Sequence, residues 1–139
     1  MSGAVTYSLA DGVAMITMRR PARLNAFTPP MLRDLKDALD RAEADAGARV
    51  VALTGEGRFF SSGQDLAEID PEDADSLSRT LREDYAPLVR RLICFPKVTI
   101  AALNGPAVGA GASIAMACDL MVAARSAYVQ QAFVRIGLI

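Results

Sequence analysis

Two stretches that contain glycine and other small residues include the candidates for catalysis or ligand binding. We name Phe59–Leu66 (FFSSGQDL) the first loop and Asn104–Gly111 (NGPAVGAG) the second loop. Their small residues would let a ligand approach the backbone, and a helix that begins at such a loop presents unpaired N–H groups at the positive end of its dipole. Together the loops could therefore provide two N–H donors to an oxyanion. On spacing alone, two ordinary strand-to-helix turns remain the simpler explanation.

The rest of the chain lacks the residues that several other chemistries require. The absence of histidine from all 139 residues excludes His-based triads, His-ligated metals and imidazole bases within the chain. Cys94 and Cys118 have no CxxC spacing, which indicates free thiols rather than a zinc site. The second loop lacks the third glycine of a dinucleotide fingerprint, and there is no Walker A lysine. We therefore expect no metal and no cofactor.

The charge balance argues against partners that are held by bulk electrostatics. A formal net charge of −1 disfavours nucleic acid and an anionic membrane surface. Asp70–Asp75 is interpreted as a solvated acidic segment. Asp119, which has apolar neighbours, is interpreted as a structural carboxylate with a hydrogen-bonding or ionic partner. Among the arginines, Arg20 or Arg23 could pair with a phosphate.

Strand and helix signals alternate along the chain. Asp11-Gly12 between two short β-rich runs predicts a hairpin of Val5–Leu9 and Val13–Met18. Apolar residues at helical spacing predict an amphipathic helix over Pro30–Ala46 that ends at Gly47. The predicted elements that follow are a strand at Val50–Thr54, a helix at Leu77–Ile93 with a kink or break at Pro87, a strand at Val98–Leu103, a helix at Gly109–Ala117, an inner strand at Leu120–Ala124 and a short extended segment at Tyr128-Val129.

This alternation predicts a single α/β domain with parallel crossover connections. Apolar runs with little alternation suit strands that are covered on both faces. Both loops would then lie at the carboxyl ends of parallel strands, which is where open α/β sheets bind their ligands.

One uncharged stretch, Val98–Cys118, is about as long as the ~20 residues of a membrane-spanning helix. We reject a span, because Asn104-Gly105-Pro106 within it is typical of a turn. The first ten residues lack the basic and apolar regions of a secretory signal. We therefore expect a cytoplasmic protein with no membrane partner.

Several motifs resemble those of the crotonase, or enoyl-CoA hydratase/isomerase, superfamily. Arg23-Leu24-Asn25-Ala26 is similar to its K/R-L-N-A motif, and Phe60–Leu66 is similar to its F-x-x-G-x-D-L/I loop. The second loop followed by Cys118-Asp119 is similar to its N-G-x-x-x-G-G-G…C-D segment. The order and spacing agree over essentially the whole chain. The resemblance implies a crotonase-like α/β fold of ββα repeats, in which a spiral of mostly parallel strands is covered by helices.

The same resemblance implies a CoA thioester as the substrate, with coenzyme A present only as part of that substrate. Two backbone N–H groups, matched by position to Gln64 and Ala110, would polarise the thioester carbonyl and stabilise an enolate. Arg23 corresponds to a basic position near the CoA phosphates. The positions that match substrate- and CoA-binding residues of the family are Arg23, Leu24, Ser62, Gly63, Asp65, Leu66, Ala67 and Gly109.

Two positions depart from the family's hydratases, which use two catalytic glutamates. The matching residues are Ser113 and Phe133, and neither can activate water as a carboxylate does. Gly109–Ala112, Ala123–Ala127 and Ile136–Ile139 look closest to the ring-opening isomerase branch of phenylacetate degradation. That branch uses an aspartate that follows an I-G-L-x-x motif, which would place the catalytic base just beyond the last residue of this chain.

We therefore expect an acyl-CoA enzyme that favours isomerisation over hydration. A hydratase with altered acid/base residues and a non-catalytic acyl-CoA-binding module remain as alternatives. The resemblance further implies that residues 1–139 are the N-terminal core, cut short before a C-terminal helical trimerisation region. The segment alone is expected to be inactive because it has no base, and the full-length protein is expected to form a homotrimer or hexamer.

Overall fold

A five-stranded sheet forms the centre of the molecule. The computed structural model describes residues 3–69, 72–73 and 75–136, with the backbone alone at 135 and 136. The strands of the sheet lie in the order β1 (Val5–Ala10), β2 (Val13–Met18), β3 (Val50–Gly55), β4 (Val98–Leu103) and β6 (Leu120–Ala123), whereas β5 (Ala107–Val108) lies outside it. β1 and β2 are antiparallel, and every other neighbouring pair is parallel. The expected α/β fold is confirmed.

Helix α1 (Pro29–Ala44) connects β2 to β3 and packs against β1 and β2. Thr28 caps its start, because the Thr28 Oγ1 accepts a hydrogen bond from the Met31 N–H at 3.4 Å. The helix ends earlier than predicted, since Asp45 adopts an extended conformation and closes the last turn. Its buried apolar face, which supplies one wall of the core, consists of Met31, Leu32, Leu35, Ala38, Leu39 and Ala42.

The helical run between β3 and β4 changes its winding just before Pro87. Helix α2 (Ser76–Thr80), one π-helical turn (Leu81–Tyr85) and α3 (Ala86–Ile93) follow one another without interruption. Proline has no N–H to continue the α-helical ladder, and its ring crowds the carbonyl four residues earlier. The predicted helix is confirmed, but in place of a kink or break at Pro87 the chain forms one π-helical turn that ends two residues before it.

Short extended segments form a second row beside the main sheet. β5 pairs in parallel with β7 (Val129–Gln130), where the sequence predicts an extended segment one residue earlier. Single parallel bridges join Ser61 to Ala107 and Phe27 to Gln64. Each member of this row follows a long strand of the main sheet. The row therefore brings together loops that are far apart in the sequence.

Strand β6 differs from its prediction as an inner strand. All four of its residues are exposed, and among the described residues it pairs with β4 alone. It is an edge strand here, so the prediction is wrong. Asp119, immediately before β6, accepts hydrogen bonds from the Thr99 N–H at 2.7 Å and the Thr99 hydroxyl at 2.9 Å. These bonds lower the pKa of Asp119, and the partner expected for this carboxylate is present.

The uncharged stretch 98–118 is divided among β4, β5 and α4 (Ala110–Met116), which confirms the turn within it. Of the helices in the described residues, none combines the length and apolar character that crossing a membrane requires. The predictions for Asp70 and for residues 137–139 fall outside the described residues.

Candidate active site

The first and second loops lie against each other beyond the carboxyl ends of β3 and β4. An ideal Cβ added to Gly63 would lie 2.8 Å from the Val108 carbonyl oxygen and 3.2 Å from the Ala110 nitrogen. A Cβ added to Gly111 would lie 2.7 Å from the Ser61 carbonyl oxygen. Both glycines are therefore needed for the close approach of the two loops.

The N–H groups of Gln64 and Ala110 are the available donors at this junction. The groups that flank Gln64 are occupied, because Phe27 donates to the Gly63 carbonyl at 2.7 Å and accepts from the Asp65 N–H at 2.9 Å. Ala110 is the first residue of α4, where an N–H has no partner within the helix. Across the part of the chain that the structure describes, neither donor is engaged in a hydrogen bond. Both can therefore bind a ligand.

A largely apolar pocket of about 590 Å³ opens beside these two donors. Its walls come from the two loops, from the α2 and π-helical segments, and from the short 3₁₀ turn Phe133–Ile136. No carboxylate or cation is found among the described lining residues. The pocket thus suits an apolar group next to a carbonyl. The apolar side chains of the wall include Leu66, Ile69, Leu77, Leu81, Val108 and Phe133.

The R-L-N-A motif at residues 23–26 holds the first loop in shape. Leu24 and Asn25 both adopt left-handed backbone conformations, with φ of 52° and 54°. The buried Asn25 side chain donates through Nδ2 to the carbonyls of Glu56 and Phe59 at 2.9 and 2.8 Å. The Ser61 hydroxyl in turn donates to the Asn25 carbonyl at 2.8 Å. The motif therefore helps to fix the backbone conformation of the first loop.

A second asparagine ties the start of the second loop to the first. The Asn104 Oδ1 accepts a hydrogen bond from the Gly55 N–H at 3.0 Å. Its Nδ2 donates to the carbonyls of Gly57 and Phe59 at 2.8 and 3.1 Å. Asn25 and Asn104 thus share the Phe59 carbonyl, which joins both loops at one point.

An ion pair holds the far end of the first loop. The Arg20 guanidinium donates to the Asp65 Oδ2 at 3.0 Å and to the Ala26 carbonyl at 2.5 Å. The two side chains are only 24% and 12% exposed, which protects the pair from solvent. Because Arg20 is already paired with a carboxylate, the hypothesis of a phosphate-binding arginine rests on the exposed Arg23.

The structure brings most of the predicted site residues to the pocket and leaves four outside its lining. Arg23 and Ala67 are exposed, and the Leu24 carbonyl accepts a hydrogen bond from the Ser62 N–H at 3.0 Å. Asp65 accepts from the Ala67 N–H at 3.3 Å. Their contact with CoA stays a prediction. The predicted residues that line the pocket are Ser62, Gly63, Gln64, Leu66, Gly109 and Ala110.

Tyr85 lines the pocket and was missed by the sequence reasoning. It is 7% exposed, and its hydroxyl donates to the Gln64 Oε1 at 2.7 Å. Burial raises the pKa of Tyr85, so the hydroxyl keeps its proton at neutral pH and acts as a donor. The available signal was a tyrosine on a predicted amphipathic helix, because a buried tyrosine hydroxyl usually has a partner.

The two positions that match the family's glutamates offer no base. Phe133 lines the pocket with an apolar ring, whereas Ser113 donates its hydroxyl to the Gly109 carbonyl at 3.4 Å.

Burial raises the pKa of the Cys118 thiol to about 11, so it is not a nucleophile at neutral pH. Among the described residues, no group of three or more cysteine or carboxylate side chains is placed to hold a metal ion.

The family model described as enoyl-CoA hydratase/isomerase matches residues 8–139. The chain belongs to the enoyl-CoA hydratase/isomerase family. The resemblance drawn from the R-L-N-A motif and the two loops is thereby confirmed. The match extends through the described 3₁₀ turn that carries Phe133, so the family assignment covers every wall of the pocket.

Two members of the enoyl-CoA hydratase/isomerase family are each 45% identical to this chain. They are a "Probable enoyl-CoA hydratase" of Rhodobacter capsulatus, over 134 residues, and 1,2-epoxyphenylacetyl-CoA isomerase of Escherichia coli, over 131 residues. The alignments cover 96% and 92% of this chain but 51% and 50% of the relatives. The chain thus spans about half the length of the curated relatives it matches.

A solved structure supports the same family at the level of the fold. The crystal structure of an enoyl-CoA hydratase from Mycobacterium avium subsp. paratuberculosis superposes with a TM-score of 0.84 at 35% identity. The superposition covers 99% of this chain and 53% of that one. The crotonase-like fold is therefore confirmed.

Proposed function

We propose that the full-length protein acts on an acyl-CoA thioester, which the Gln64 and Ala110 N–H groups hold by its carbonyl oxygen. The acyl group then occupies the apolar pocket, and the CoA part extends past Asp65, Leu66 and Ala67 toward Arg23. The observation that carries this proposal is the pair of unengaged N–H donors at the edge of a pocket whose described lining has no charge. Family membership supports the same substrate class.

The chemistry suits backbone donors. A proton next to a thioester carbonyl is weakly acidic, so its removal requires stabilisation of the enolate oxygen that forms. Two preorganised N–H groups in a site that excludes water provide this stabilisation, and loss of one such donor costs about 10²–10³ in kcat in acyl-transfer enzymes. The donated group belongs to the backbone, which explains why residues as different as Gln64 and Ala110 can share this role.

We further propose that isomerisation is favoured over hydration. Hydration requires one group that deprotonates water and another that protonates the α-carbon. The matching positions hold Ser113, whose hydroxyl is bonded to the Gly109 carbonyl, and Phe133, which has no proton to exchange. Isomerisation needs a single carboxylate that moves one proton between two carbons, and we assign this carboxylate to the full-length protein outside the described residues.

Hydration is the second candidate function. The Rhodobacter capsulatus relative, named a probable enoyl-CoA hydratase, is as similar to this chain as the 1,2-epoxyphenylacetyl-CoA isomerase. A hydratase of this sequence would need both of its acid/base groups at positions other than Ser113 and Phe133.

Side-by-side assays on the full-length protein separate the two functions. We expect isomerisation of a 3-enoyl-CoA to proceed readily and hydration of crotonyl-CoA to be slow. Efficient hydration with undetectable isomerisation would overturn the isomerase assignment and support the hydratase. Failure to bind any acyl-CoA would overturn both.

A further inference from the structure

A hydrogen bond joins the wall of the pocket to one of the two donor residues. The Tyr85 hydroxyl donates to the Gln64 Oε1 at 2.7 Å, and the Gln64 Nε2 donates to the Asp65 carbonyl at 3.2 Å. Both ends of the Gln64 amide are therefore bonded. A side chain fixed at both ends restricts the backbone that carries it, which here includes the Gln64 N–H.

Tyr85 is itself fixed against the segment that pairs with Gln64. Its ring meets the edge of Phe27 at a centroid distance of 6.1 Å and an interplanar angle of 80°. Phe27 donates to the Gly63 carbonyl and accepts from the Asp65 N–H, so it brackets Gln64 through its backbone. Tyr85 thus contacts the Gln64 side chain through its hydroxyl. Its ring contacts Phe27, whose backbone pairs with the chain on both sides of Gln64.

One helical segment supplies three of the residues that line the pocket. Leu77 belongs to α2, whereas Leu81 and Tyr85 belong to the π-helical turn that precedes Pro87. Single π-helical turns within α-helices occur frequently at functional sites. The same helical segment therefore contributes two leucines to the wall of the pocket and a hydroxyl that bonds to Gln64.

We propose that Tyr85 is a positioning residue, which orients the Gln64 N–H toward the thioester oxygen and couples this orientation to the filling of the acyl pocket. This inference rests on the proposed acyl-CoA function. An acyl group that packs against Leu77 and Leu81 stabilises the helical segment that carries Tyr85. Binding energy from an unreactive part of the substrate is thereby used at the reacting carbonyl, where it raises kcat.

The test compares two variants of the full-length protein, each of which lacks the hydroxyl of one tyrosine. Tyr85→Phe keeps the ring contact with Phe27 and removes the bond to Gln64. Tyr7→Phe is the matched control, since the Tyr7 hydroxyl donates to the Oδ2 of Asp45, the residue after the last turn of α1, at 2.9 Å, and neither residue is among those that line the pocket. The first readout is the infrared stretching frequency of a ¹³C-labelled thioester carbonyl in bound hexanoyl-CoA. The second is the separation of kcat from KM in the isomerisation assay.

We expect wild-type protein and Tyr7→Phe to lower the carbonyl frequency equally, and Tyr85→Phe to lose much of this shift. The kcat of Tyr85→Phe should fall about tenfold, with KM changed less than about twofold, because the lost interaction is one that strengthens in the transition state. A carbonyl shift in Tyr85→Phe equal to that of the wild type would overturn the inference and leave the proposed function standing. Absence of any shift in the wild type would overturn the proposed function and this inference with it.

Gln64→Met tests whether Tyr85 acts through the Gln64 side chain. This substitution removes the acceptor of the Tyr85 hydroxyl but keeps the Gln64 N–H. It should reproduce the loss seen in Tyr85→Phe, and the double variant should lose no more than either single one. Losses that add in the double variant would overturn the inference, because the two residues would then act independently.

Discussion

Side chains and backbone groups together hold the first loop, whereas backbone contacts hold most of the second. Asn25 and Arg20 donate side-chain hydrogen bonds to the first loop, and the Ser61 hydroxyl of this loop donates to the Asn25 carbonyl. Backbone hydrogen bonds to Phe27 hold it as well. Beyond Asn104, the second loop is held by its own N–H groups: Val108 donates to the Ser61 carbonyl at 2.9 Å and Gly109 to the Gln130 carbonyl at 2.8 Å. Each loop still contributes one N–H donor.

The comparison predicts which substitutions each loop tolerates. Where a loop is held by side chains, truncating one of them weakens it. Where a loop is held by its backbone, changed side chains are tolerated, but a lost N–H or an added Cβ is not. The following substitutions test both kinds of sensitivity and begin with the one expected to cost most.

Ala110→Pro should have the largest effect, because proline removes the donor N–H of the second loop. We expect kcat for the acyl-CoA reaction to fall by about 10²–10³. The fold should survive, since Ala110 is the first residue of α4 and proline is favoured at that position. Steady-state kinetics measure the loss and circular dichroism checks the fold.

Ala110→Ser is the control, because serine changes the side chain and retains the N–H. It should keep most of the wild-type activity. Full turnover in a folded Ala110→Pro variant would show that Ala110 is not a donor.

Gly63→Ala should weaken the contact between the loops. Gly63 has a φ of +94°, and its added Cβ would meet the Val108 carbonyl oxygen at 2.8 Å. We expect the free energy of unfolding to fall by about 1–3 kcal/mol and acyl-CoA affinity to fall with it. Denaturant titration and calorimetry measure these two quantities.

Gly3→Ala is the matched control for the backbone strain alone. Gly3 has a similar φ of +81°, but an added Cβ would meet nothing within 4 Å. Its substitution should leave acyl-CoA affinity unchanged. If both variants bound acyl-CoA equally well, close approach at Gly63 would not matter for the site.

Asn25→Ala should destabilise the protein with a smaller effect on turnover per folded molecule. The fully buried Asn25 side chain donates hydrogen bonds to the carbonyls of Glu56 and Phe59. Its removal leaves these carbonyls without that donor, which should lower the free energy of unfolding by about 2–3 kcal/mol. Asn104→Ala, at a half-buried position that also serves Phe59, should cost less. Urea unfolding of both variants gives the comparison, and a larger loss for Asn104→Ala would contradict the greater contribution of the buried Asn25 side chain.

The main sheet and the positions of the loops could be predicted from sequence because they depend on local patterns. The Asp11-Gly12 hairpin, the amphipathic α1 and the apolar runs of β3 and β4 all appear where periodicity and turn residues place them. The prediction of β6 as an inner strand is wrong because an apolar composition indicates only a tendency to be buried, whereas the position of a strand and its exposure depend on which strands pair with it and what packs over its faces. A single sequence does not record that packing.

The candidate site could be predicted in part for a similar reason. The resemblance to a family identified Gln64 and Ala110, because their loops have recognisable spacing. The clamp by Arg20 and the bond from Tyr85 could not be predicted, since Arg20 lies 45 residues from Asp65 and Tyr85 lies 21 residues from Gln64. Such contacts are set by how the strands and helices pack, and one sequence does not record that packing.

Calorimetric titration of the full-length protein tests whether the two loops together hold the carbonyl of an acyl-CoA thioester. We expect a saturated acyl-CoA to bind at least about tenfold more tightly than the corresponding free fatty acid, and Ala110→Pro to reduce this advantage. Equal affinity for the thioester and the free acid in wild-type protein would contradict this expectation.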